Sequence, residues 1–125
     1  MVEQSGDSVG PTTLQVGKHQ VDQSVVLTVS GEVDMLSAPQ LAEAIRRSLT
    51  ARPGALIVDL SKVDFLASAG MTVLVTAHDE VVPPTRFAVV AAGAATSRPI
   101  ELTGLDSVLS LYSTLDDALS DVADG

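Results

Sequence analysis

The sequence predicts one α/β domain with the element order β-β-α-β-α-β-α-β-α, a mixed sheet with helices packed against it. Three observations carry this expectation. Two segments with strand character open the chain close together, which suits a hairpin. Short, nearly unbroken apolar runs then alternate with segments of helical periodicity, the pattern of parallel strands joined by crossover helices. The chain has 125 residues, 46% of them hydrophobic, enough for one core and too few for two ordinary domains.

Leu14 to Val21 and the β-branched run Val25 to Ser30, closed by Gly31, are the expected opening strands. Ser37 then reads as a helix N-cap with Gln40 three residues on, a capping-box spacing, and Pro39 falls in the tolerated first turn. Ala38, Leu41, Ile45 and Leu49 recur at helical spacing, and Pro53-Gly54 ends the helix. Leu56 to Leu60 (LIVDL) suits a central strand covered on both faces. A second helix begins near Ser68, and Pro83-Pro84 separates it from the strand Arg86 to Ala92. Thr96 to Thr103 is a short helix, Leu109 to Tyr112 a strand, and Thr114 to Val122 a closing helix. Thr114 is its N-cap, with Asp116 and Asp117 near the positive end of the dipole. Polar, Gly- and Ser-containing residues 1–13 read as a flexible leader before a domain spanning 14–122, and Asp121 to Gly125 as a fraying end.

Composition narrows the function. With no cysteine, disulfides and thiolate chemistry are excluded. Three aromatic residues, Phe65, Phe87 and Tyr112, provide no base-stacking platform. Sixteen acids against seven bases give a net charge of −9, which opposes nucleic acid and anionic lipid as partners. The N-terminus lacks the pattern of a secretory signal and no apolar run approaches spanning length, so a cytoplasmic protein is expected.

On the second helix, 100° per residue places Gly70, Val73, Leu74, Ala77 and Val81 on one arc, the expected core face. Ser68, Met71, Thr72, Val75 and Asp79 fall on the opposite arc, an exposed and half-apolar stripe suited to binding a protein. Met71 and Val75 are equally open to cover by a loop or by a weak homodimer contact. Ser68 stands at the helix start, where the dipole favours negative charge. A phosphate there would bring roughly −1.5 to −2 charges into the stripe, enough to break a complex. The plainer role for Ser68 is an ordinary N-cap.

The stretch DLSKVDFLASAGMTVL, Asp59 to Leu74, resembles the core of the STAS domain of anti-sigma factor antagonists, in which a strand ending in Asp-Leu-Ser leads to a D-S-[SAC]-G segment. GEVDMLSAPQL, Gly31 to Leu41, is similar to that family's second signature, and the resemblance extends over about Leu14 to Val122. It implies a single STAS-like domain that binds an anti-sigma factor and releases the sigma factor. The implied partner has a histidine-kinase-like ATPase fold and phosphorylates the antagonist; no cofactor binds the antagonist itself. By position the phosphoacceptor is Ser68, and Asp34 is the acidic residue near it. Asp34, Ser68, Met71, Thr72, Val75 and Asp79 form the expected partner-binding set, while Gly70 lets the helix start lie close to its neighbours. Ala67 departs from the family, which usually has an acidic residue before the acceptor, so constitutive binding stands open beside the phosphoswitch. A STAS subunit of an ABC-type transporter or signalling assembly is the alternative.

An enzyme is disfavoured. Ser68 and His78 lie about 15 Å apart along a helix and cannot share a proton. His78, Asp79 and Glu80 diverge around the same helix, which is no metal-ligand cluster. Asp59 is assigned to backbone bonding in the turn after its strand rather than to catalysis.

Overall fold

In the computed structural model, which describes residues 14–124, the chain forms a five-stranded sheet of order β1-β2-β3-β4-β5. The strands are β1 (Leu14–Val21), β2 (Ser24–Val33), β3 (Ala55–Leu66), β4 (Arg86–Val90) and β5 (Leu111–Tyr112). The helices are α1 (Ala38–Thr50), α2 (Ser68–Glu80), the short α3 (Ser97–Leu102) and α4 (Leu115–Asp124), with a 3-10 turn at Leu105–Ser107. β1 pairs antiparallel with β2, and every later pairing is parallel. The mixed α/β order expected from the sequence is therefore the order observed. The expected leader lies outside the described residues.

Strand periodicity builds two cores. Val25, Leu27 and Val29 of β2, with Leu56, Val58 and Leu60 of β3, face α1 and α2 and meet Leu41, Ile45 and Leu74. The intervening Val26 and Ile57, with Ala88 and Val90, face the other way and pack against Ala118 of α4. Because both faces are covered, Ala55 to Leu60 are all buried, which is why LIVDL shows no polar alternation.

The boundaries differ in instructive ways. β3 runs six residues beyond the expected end at Leu60, because its pairing with β2 shifts register twice, between Thr28 and Ser30 and between Gly31 and Glu32. Gly31 sits at that irregularity with φ of 99°, a conformation favouring glycine. The carboxylate of Asp59 accepts the Ser61 N–H at 3.0 Å, the backbone role expected of it. Of the expected fifth strand Leu109 to Tyr112 only Leu111 and Tyr112 pair, since the Leu109 N–H donates at 2.8 Å to the Leu105 carbonyl of the preceding 3-10 turn. α4 continues past Val122: Asp121, expected to fray, receives hydrogen bonds from Arg86 on its carbonyl and from the Tyr112 hydroxyl on its carboxylate. At its start Thr114 caps as expected, its hydroxyl oxygen accepting the Asp117 N–H at 3.1 Å.

One close approach fixes α2. A Cβ on Gly70 would lie 2.5 Å from Val33 Cγ1 and 2.7 Å from Leu66 Cδ1, so only glycine lets the first turn of α2 seat on the ends of β2 and β3. Gly70→Ala is therefore expected to destabilise the protein by about 1–3 kcal/mol through overpacking. Chemical denaturation would show this as a lower midpoint, with exposed Thr72→Ala as the near-neutral control.

Candidate functional site

The site forms where two chain reversals meet at the ends of parallel strands. β2 ends at Val33 and turns through Asp34 to Ser37 into α1; β3 ends at Leu66 and passes Ala67 into α2. The Ala67 N–H donates to the Val33 carbonyl at 2.8 Å. Asp34 and Ser68 each lie one residue beyond that bond, so residues far apart in sequence share one corner of the molecule.

The Asp34 turn is held from inside. Asp34 Oδ1 accepts the N–H groups of Leu36 at 3.0 Å and Ser37 at 2.9 Å. The Ser37 hydroxyl donates to the Glu32 carbonyl at 2.8 Å and accepts the Asp34 N–H at 2.9 Å. The expected capping box is thus not formed: Ser37 is buried and turned back into the β2 end, and the Gln40 amide donates to the Leu14 carbonyl instead. The hydrogen bond from the Ser37 backbone holds the Asp34 carboxyl below its ordinary pKa, burial opposes this, and the Ser37 hydroxyl and Leu36 N–H reinforce it.

Ser68 is not an N-cap. The N-cap is Ala67, in extended conformation, and no side chain caps the helix, which leaves Ser68 exposed at the first helical position. From Ser68 the exposed or half-exposed face continues through Thr72 and Val75 to Asp79. Asp79 lies about 16 Å from Ser68 along the helix, so the cluster at the corner consists of Asp34, Ser68, Thr72 and Val75.

Met71 corrects the sequence reading. It is 8% exposed and belongs to the main core, while Val73, expected in the core, is half-buried. The segment after α3 covers it: the Thr103 hydroxyl lies 3.7 Å from its sulfur, and Leu105 packs against the same cluster. Helical periodicity could not show this cover, which comes from a distant 3-10 turn. Met71 instead lines a mostly apolar groove of about 290 Å³ with Ser68, Thr72, Val75, Thr76, Thr103 and Leu105. Thr76, Thr103 and Leu105 were not among the expected site residues. Nor were Met35 and Leu36, two large apolar residues adjacent in the Asp34 turn and both exposed.

Ser68, exposed at the start of α2 and lining the apolar groove, thus shares its corner of the domain with the hydrogen-bonded Asp34 turn. The STAS domain family model matches residues 15–118. The chain belongs to the STAS domain family. It is 44% identical over 100 residues to the anti-sigma-F factor antagonist RsfB of Mycobacterium tuberculosis, covering 80% of this chain and 82% of that protein. The crystal structure of an anti-sigma factor antagonist from Mycobacterium paratuberculosis superposes with a TM-score of 0.85 at 45% identity, covering 88% of this chain and 94% of the other. The antagonist SpoIIAA in its unphosphorylated form shares the fold at a TM-score of 0.73 and 17% identity, covering 89% of this chain and 98% of that one. Among the described residues of this STAS domain no helix is long and apolar enough to cross a membrane.

The depressed Asp34 carboxyl stabilises the folded turn when ionised. That contribution is present above its ordinary value of 3.8 and is lost as pH falls through the lower folded value. The stability advantage of the wild type over Asp34→Asn is therefore expected to stay constant near neutral pH and shrink below pH 3.8, as followed by denaturation across an acid series. A difference independent of pH would contradict the assignment.

Proposed function

We propose that this chain is an anti-sigma factor antagonist: it binds an anti-sigma factor of the histidine-kinase-like ATPase type in the cytoplasm, and so releases the sigma factor. The observation that carries this reading is the exposed Ser68 at the uncapped start of α2, set on the rim of the apolar groove. The likeness to RsfB, named for antagonising anti-sigma-F factor, supports it. Partner contacts come from Ser68, Thr72 and Val75, with Met71 forming the groove floor and Asp79 extending the face toward the helix end.

Ser68 is the phosphoacceptor in this reading. The kinase would belong to the partner, with ATP as its substrate, and no catalytic group is assigned to this chain. A phosphate on Ser68 would sit at the positive end of α2, where the helix tolerates it. In the complex the same charge would be placed against an apolar groove, and its desolvation and repulsion would weaken binding. Ala67, which puts no carboxylate beside the acceptor, favours a second reading in which the same face binds without a switch.

Calorimetric titration of Ser68 variants with the purified anti-sigma factors of this type from the source organism separates the two. Ser68→Ala is expected to bind like the wild type, and Ser68→Glu more weakly on the order of tenfold. Incubation with the partner and ATP should add one phosphate, seen by intact mass in the wild type and absent in Ser68→Ala. Equal affinities with no added phosphate would leave an unswitched antagonist; no binding by any of these anti-sigma factors would refute the antagonist assignment.

A further inference from the structure

Met35 and Leu36 are 76% and 88% exposed, the two most exposed large apolar side chains among the described residues. They occupy the tip of a turn that is ordered throughout by hydrogen bonds. Asp34 Oδ1 holds the Leu36 and Ser37 N–H groups, the Ser37 hydroxyl bridges the Glu32 carbonyl and the Asp34 N–H, and the Ala38 N–H donates to the Asp34 carbonyl at 2.8 Å. A connection that merely reversed the chain would be served by polar residues, and exposing two large apolar groups disfavours the free state. A turn ordered before binding loses less conformational entropy when its tip is buried.

The turn is continuous with the Ser68 corner, since Val33, which precedes it, accepts the hydrogen bond of Ala67, which precedes Ser68. The segment that carries Ser68 and the turn that carries Met35 and Leu36 thus start from the same point. Glu32 and Asp34 flank the tip in a chain of net charge −9, so the complementary surface is apolar at its centre and basic at its rim.

We propose that Met35 and Leu36 are the apolar anchor of the antagonist interface, inserted into an apolar, basic-rimmed cleft on the anti-sigma factor. Asp34 is then a positioning residue, whose carboxylate shapes the turn from within. This deepens the proposed function and rests on it. The anchor sets affinity independently of the charge on Ser68, and the two regions act as neighbouring parts of one surface.

The test is titration of the full chain with the same purified anti-sigma factors used for the Ser68 variants. Met35→Ser/Leu36→Ser is expected to lower affinity by at least roughly tenfold, with the circular dichroism spectrum and melting temperature unchanged, while Met35→Leu/Leu36→Met keeps affinity within about threefold. If the wild type binds and the serine variant binds equally well, the anchor is overturned and the antagonist assignment stands. If the wild type does not bind, that assignment fails and the anchor with it. Sedimentation supplies the remaining outcome: a wild-type dimer that becomes monomeric in the serine variant, with partner affinity unchanged, would make the turn a contact between copies of this chain and overturn the proposal.

Discussion

The seating of α2 on the ends of β2 and β3 is the constraint on which the functional corner depends. Gly70 removes the side chain that would hold the helix away from Val33 and Leu66, and the bond from the Ala67 N–H to the Val33 carbonyl closes the gap. Separating these elements would part Ser68 from the Asp34 turn and open the groove below them. The double irregularity between β2 and β3 serves the same end, since it extends β3 to Leu66 and delivers the chain to α2 at that height.

The site sets an internally hydrogen-bonded polar turn, of which only Ser37 is buried, beneath an apolar display. Ser37, Asp34 and the Glu32 carbonyl satisfy one another, so the turn needs no water-exposed polar tip and can present Met35 and Leu36. In the same way Met71 is drawn into the core by the segment at Thr103 and Leu105, which turns a helix stripe into a groove with a floor. What remains exposed beside Ser68 is hydroxyl and partly covered aliphatic surface, a setting in which one added phosphate changes the binding energetics sharply.

Much of the fold was legible because strand and helix periods differ. Leu14 to Val21 was located to the residue, the LIVDL run marked a doubly covered strand, and the spacing of Ala38, Leu41 and Ile45 gave the buried face of α1. Local pattern misleads where tertiary contacts override it. Ser37 had the spacing of a capping box but was recruited by Asp34 and Glu32. The polar residues Ser61, Lys62 and Asp64 concealed the extension of β3. Met71 lay on the outer arc of its own helix yet was covered by a turn more than thirty residues away in sequence. Ser68 and Asp34 were legible as candidates, whereas their proximity needed the sheet.

The central claim is that one corner of the domain, and no other face, receives the anti-sigma factor. Backbone amide shifts of isotope-labelled protein, recorded during titration with the unlabelled anti-sigma factor, test it directly. Perturbations confined to residues 34–37, 67–79 and 103–105 are the predicted result; a footprint centred on the free edge of β1 or on α4 would contradict it.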